Sequence, residues 1–144
     1  MDRRPEVHRK MGFEEIEHTA DRALRIFGID LQELFNSAAQ GMIGLMVADV
    51  SKVPLEVEKS IELAAIDAES LLVEWLSELA YWAETEMLVF NELRIQNLTA
   101  THLQASVLGG KVPELKKHIK AVTYHNLKII KTARGLEATI VFDV

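Results

Sequence analysis

Gly135-Leu136-Glu137-Ala138-Thr139-Ile140-Val141-Phe142-Asp143-Val144 (GLEATIVFDV) decides how this chain is organised. Successive side chains of an extended backbone point to opposite faces. Ala138, Ile140, Phe142 and Val144 therefore fall on one face, and Thr139, Val141 and Asp143 on the other. Chain ends ordinarily fray into solvent. One that stays apolar almost to its final residue is expected to be tied into a sheet. A terminal strand held in this way carries two carboxylates side by side, the Asp143 side chain and the α-carboxylate of Val144. Two anions held close repel unless a cation, an arginine or a shared proton joins them. A third carboxylate nearby would suit a hard cation such as calcium or magnesium, which take oxygen ligands.

Working back from this strand, KAVTYHNLKIIKT (residues 120–132) reads as another, joined to it at Ala133-Arg134-Gly135. Pro113 to Ile119 suggests a short helical turn with proline at its first position. ELRIQNLTATHLQASVLGG (92–110) alternates, with Gly109 and Gly110 expected to close a hairpin or a longer loop. Before it lies the strongest helix, in which Leu72, Trp75, Leu76, Leu79 and Ala83 form an apolar stripe opposite Glu74 and Glu78. Trp75 and Trp82 are expected to pack the core, with Tyr81 nearer the edge. Asp67 stands where a cap belongs, since its side-chain oxygen can accept the unpaired amide hydrogens of the first turn; no ligand role is needed for it.

VPLEVEKSIELAAI (53–66) alternates as a strand, and Asp30 with Glu33 three residues later forms a capping-box pattern ahead of LQELFNSAAQGMIGLM. FEEIEHTADRALRIFGI (13–29) reads as one or two strands ending at the Gly28 turn, behind a charged leader of residues 1–12 that is expected to be flexible. The fold class expected is α/β in the α+β sense, a mixed and largely antiparallel sheet covered by two main helices in a single domain over 13–144.

At 144 residues and 49% hydrophobic content the chain suits one domain with one core. It has no cysteine, which excludes disulfides, thiolate nucleophiles and sulfur-ligated zinc. No apolar run approaches the roughly 18 to 20 residues of a membrane span, and MDRRPEVHRKM has no apolar segment behind its charges; the expected location is the cytoplasm. The net charge of −6 argues against a protein that coats nucleic acid through its overall field. The charge is nevertheless divided. Residues 111–134 hold seven cations against Glu114 alone, whereas residues 56–92 hold ten acids against Lys59 alone. Such runs are usually solvated faces, and the alternative is a basic surface that meets an acidic partner or RNA.

Four polar side chains interrupt the first strand at Glu17-His18-Thr19-Ala20-Asp21. Asp21 can form an Asx-type turn on its own backbone or supply the third carboxylate at the chain end. Spacing alone does not show that the two ends meet. His18 and His125 lie in strand-like contexts and fit either satisfied core positions or proton transfer. No G-x-S-x-G elbow, Walker-type loop or G-x-G-x-x-G is present.

These stretches resemble the archease family, small proteins that assist the RtcB-type RNA ligase in tRNA splicing. The resemblance spans Phe13 to Val144 and rests on EHTAD (17–21), DAESLLVEWLSELAYWAET (67–85), KAVTYHNLKI (120–129) and the terminal FDV. It implies a non-catalytic protein cofactor that promotes guanylylation of the ligase and multiple turnover. Carried over by motif position, it implies a metal site at Asp21, Asp143 and the Val144 carboxylate, with calcium or another divalent hard cation. It implies an activating role for Lys120, with His18, Tyr124 and His125 in support, and RNA met only indirectly or weakly. The pattern departs from the family at Arg22-Ala23-Leu24 behind HTAD and in the short basic GGKVPELKKHI before KAVTYH. Two other functions fit the residues: a general chaperone or adaptor of nucleic-acid-processing proteins, and a metal-dependent phosphoesterase with His18 as base.

Overall fold

Alternation in the last strand is realised as drawn: Ala138, Ile140 and Phe142 are buried while Asp143 is exposed. The structure, a computed structural model, describes residues 12–17 and 21–144, in backbone alone at positions 17 and 21. The elements run β1 (Phe13–Glu17), β2 (Asp21–Gly28), α1 (Leu31–Met46), a 3-10 turn (Val50–Lys52), β3 (Val57–Ala64), α2 (Ala68–Glu86), β4 (Leu88–Leu98), β5 (His102–Lys111), β6 (Ala121–Val122), β7 (Ile130–Thr132) and β8 (Gly135–Asp143). The leader falls outside the described residues apart from Gly12.

The strands form two sheets, and every described pairing is antiparallel. In the larger, β8 lies beside β2 on one side; on the other it takes β6 near its carboxyl end and β7 near its start. The smaller has the order β3-β5-β4. The α+β architecture with two main helices stands as expected. The division into two sheets follows from the hairpin of β4 and β5, which pairs with β3 instead of joining β8.

Both helices bury one stripe against these sheets. Leu34, Phe35, Ala38, Ala39 and Met42 of α1 are fully buried, as are Leu71, Leu72, Trp75 and Leu76 of α2. Between the helices the Trp75 indole N–H donates to the Phe35 carbonyl at 3.0 Å, so the largest core side chain also satisfies its one polar atom. Truncating a buried aromatic of this kind typically costs about 3–5 kcal/mol. Trp82 sits at the rim instead. It is partly buried, Lys59 lies 4.0 Å over its ring, and Tyr81 beside it is 57% exposed.

The caps form as the sequence implies, with one refinement. Asp30 accepts the Glu33 N–H at 2.9 Å, but the Glu33 carboxylate reaches back to the Ile29 N–H, one residue before the cap. Asp67 accepts the Ser70 N–H at 2.7 Å.

Three expectations need correction. Gly109 and Gly110 lie inside β5 and close no turn; the β4–β5 hairpin turns at Thr99–Thr101, where Thr99 N–H donates to the His102 carbonyl at 2.9 Å. A Cβ at Gly109 would run into the Val89 carbonyl, and one at Gly110 into Pro54. The glycines are needed for close approach of backbone, beside the register shift at Phe90/Glu92. Residues 113–119 form no helical turn: within the segment the Lys116 N–H is engaged by the Met46 carbonyl, and on either side the Val112 N–H goes to Met87 and the Lys120 N–H to Asp143. The stretch 120–132 is not one strand. It breaks after Val122 into a turn at His125 and Asn126, the latter at φ 51°, a left-handed conformation that asparagine tolerates.

The Ser70 N–H and then its hydroxyl, bonded to the Asp67 carboxylate, hold that group below the ordinary carboxylate pKa. A carboxyl with a depressed folded-state pKa stabilises the protein above its unfolded value of about 3.9 and loses that contribution as pH falls through the folded value. Asp67→Ala is expected to lower the melting temperature near neutral pH, with the deficit shrinking below about pH 4. Paired circular-dichroism melts across that range check it, and a pH-independent deficit would exclude the charged cap.

Candidate functional site at the end of the last strand

Three separate parts of the sequence converge on the carboxyl end of β8. Asp21, the first residue of β2, is the direct cross-strand partner of Asp143. On the other side of β8, Ala121 of β6 pairs with the same residue. Immediately before it, the Lys120 N–H donates to the Asp143 carbonyl at 2.8 Å. The ladder fixes these neighbours: opposed residues of an antiparallel pair have Cα atoms about 4.5–5.5 Å apart. Asp143 is therefore flanked by Asp21 on one side and Ala121 on the other, with the Lys120 N–H on its carbonyl and Val144 next along the chain.

The ladder stays in register because of what lies behind it. Leu24, Ile26, Ile140 and Phe142 are fully buried. A slip of one residue would turn all of them to the opposite face. The polar ends are thus positioned by an apolar core that begins one residue inward from Asp143.

Lys120 and Asp143 are both exposed. Among the described residues no three histidine, aspartate or glutamate side chains form a ready metal cluster. The donors that the sequence brings to this end, Asp143 and Val144 beside the Asp21 position, carry oxygen alone, the chemistry of a hard-cation site.

Beyond β6 the chain forms a turn that presents Tyr124 and His125. The Thr123 N–H donates to the Val141 carbonyl at 3.0 Å, and the Leu127 N–H to the Tyr124 carbonyl at 3.1 Å. Tyr124 is 56% exposed, and the His125 Nε2 lies 3.3 Å from the Asn126 side-chain amide. His125 is thus in a turn and not in a strand. His18, with Thr19 and Ala20 of the EHTAD stretch, lies outside the described residues.

Sequence reading missed the anchors of this region. The Glu69 carboxylate accepts the Ile129 N–H at 3.0 Å, tying the far end of the turn to the first turn of α2. His118 Nδ1 lies 3.1 Å from both oxygens of Glu84 and pins the approach to Lys120 against the same helix. Glu69 sits within an acidic run sixty residues before its partner, and no local pattern separates it from its neighbours.

The model of the Archease protein family (MTH1598/TM1083) matches residues 13–144. The chain belongs to the archease family. The protein archease of Methanosarcina barkeri is 38% identical over 141 residues, covering 92% of this chain and 95% of that one. The archease of Saccharolobus islandicus (strain M.14.25 / Kamchatka #1) is 40% identical over 139 residues, covering 92% and 98%. Among solved structures, the solution structure of Methanobacterium thermoautotrophicum protein 1598 aligns with a TM-score of 0.75 at 31% identity, over 94% of this chain and all of that one. The crystal structure of the Thermotoga maritima archease, described as a possible chaperone, aligns with a TM-score of 0.66 at 24% identity over 90% and 94% of the two chains, a likeness of fold. Among the described residues no helix is long and apolar enough to cross a membrane.

Hydrogen bonds to a charged acceptor contribute about 1.5–3 kcal/mol. Glu69→Ala is therefore expected to speed amide exchange at Ile129 tenfold or more, while Thr123, held by β8, keeps its protection. Hydrogen exchange followed by NMR reads both sites, and an unchanged Ile129 would rule out the Glu69 anchor.

Proposed function

We propose that this archease-family protein is a non-catalytic activator of an RtcB-type RNA ligase in tRNA splicing, promoting guanylylation of the ligase and multiple turnover, and that it works in the cytoplasm. The observation that supports this reading is the Asp21–Asp143 register, which joins two of the four motifs carrying the resemblance at one end of the sheet. Residues 13–144, the span matched by the family model, are taken as the working domain and residues 1–12 as a leader.

Asp21, Asp143 and the carboxylate of Val144 would hold calcium or another hard divalent cation. When bound, such an ion supplies the positive charge that lets neighbouring carboxylates sit together. Lys120 is placed beside Asp143 by its own backbone hydrogen bond. Its exposed ammonium offers a mobile point charge to a phosphate or to an acidic surface of the ligase. Tyr124 and His125 stand on the adjoining turn, and His18 belongs to the motif that ends at Asp21. A more general chaperone activity is the second reading, favoured by the likeness to the Thermotoga maritima protein.

Multiple-turnover RNA ligation by the ligase of the same organism is expected to rise on addition of this protein and to stay at its basal level with Asp143→Ala, whose circular dichroism should match the wild type. A variant that stimulates normally would exclude the carboxylate mechanism; a wild type that does not stimulate would favour the chaperone reading.

Calcium is further expected to raise the melting temperature, corresponding to about 2.7 kcal/mol at a hundredfold excess over its dissociation constant. Chelator should reverse the rise and Asp143→Ala abolish it. A melting temperature indifferent to calcium and chelator would count against the site whatever the ligation result.

A further inference from the structure

Residues 111–134 carry a net charge of +6 in a chain whose remaining residues sum to −12. Lys111, Lys116, Lys120, Lys128, Lys131 and Arg134 are exposed, Lys117 is half-buried, and among the described residues none of the seven enters an ion pair. An acidic protein could have neutralised these charges internally. It leaves them unpaired.

Four of the seven follow one line. β6 lies against the last residues of β8 and β7 against the first, so the turn between them borders the middle of the same strand. Lys120 stands at one end of this edge, Lys131 and Arg134 at the other, and Lys128 between. At about 3.4 Å per residue the edge is on the order of 25 Å long. The middle is occupied by the exposed ring of Tyr124, which has no aromatic or cationic partner among the described residues, and by the His125 ring beside Asn126.

We infer that this edge binds single-stranded RNA directly, the cations following the phosphates and Tyr124 offering a face on which a base stacks. Point charges alone would serve an acidic protein. A planar ring, an imidazole and an amide amid those charges are the groups that meet bases. The length suits a few nucleotides, the low end of the roughly 4–16 occupied on single-strand-binding folds. Asp143, exposed at one end, and Glu137, half-buried opposite Ile130, oppose phosphate, while the Glu69 carboxylate is engaged by Ile129. Binding is accordingly modest and confined to low salt. The inference goes beyond ligase activation and makes no use of the metal site.

The test is fluorescence anisotropy of a labelled uridine dodecamer with the full chain alone, across a salt series. Saturable binding in the micromolar range is expected. The triple variant Lys128→Glu, Lys131→Glu, Arg134→Glu should bind at least tenfold more weakly, with a salt slope smaller by about 2. Tyr124→Ala should weaken binding about fivefold or more with the slope unchanged, both variants keeping the wild-type circular dichroism. Absence of binding at about 100 μM protein in low salt, the weak end of the range for non-specific nucleic-acid binding, would overturn the inference. So would a triple variant or a Tyr124→Ala variant that binds like the wild type. A polyglutamate dodecamer competing as well as the RNA would also overturn it and assign the edge to an acidic protein.

Discussion

Antiparallel pairing of β2 with β8 is the constraint on which this molecule depends. It closes nearly the whole length of the chain, from Asp21 opposite Asp143 to Gly28 opposite Leu136. Contacts of such wide separation are formed only after the loop between them has been closed, an entropic cost that grows slowly with loop length. The buried faces of Leu24, Ile26, Ile140 and Phe142 offset that cost. Because the side-chain period of a strand is two, they also leave a single admissible register. The polar residues at the strand ends inherit their positions from this apolar match.

The segment between β5 and β8 shows the reverse relation of local and distant forces. It has little regular structure, yet its backbone is held at intervals by Met87, Met46, Asp143, Val141 and the Glu69 carboxylate, and its His118 side chain by Glu84. Leu115 and Ile119, packed inward, supply the apolar part of its attachment. A connection made this way can carry exposed lysines without needing the propensities of a helix or a strand.

What could be read in advance follows from this contrast. The caps at Asp30 and Asp67, the stripe of α2 and the two faces of β8 depend on residues within a few positions of each other, and they were legible. The assignment of β4 and β5 to a separate sheet was not, because alternation does not say which strand lies alongside. Gly109 looked like a turn residue because the local sequence cannot reveal that the Val89 carbonyl occupies the space of its missing side chain. Spacing left open whether Asp21 would meet Asp143; their backbones are brought together by a register whose determinants lie in neither residue. Glu69 gave no signal at all, since its partner is an amide of a distant turn.

The two register shifts in β4, at Phe90/Glu92 and at Ile95/Asn97, bear on solubility. Among the described residues β4 is the longest strand and has no partner on its far side. A long flat edge of that kind is a template for aggregation. Irregularities at two points, with the exposed charges of Glu92 and Arg94 between them, keep the edge from presenting an even row of hydrogen-bonding groups to a second copy. The irregularities thus act as a guard against edge-to-edge pairing built into the strand itself.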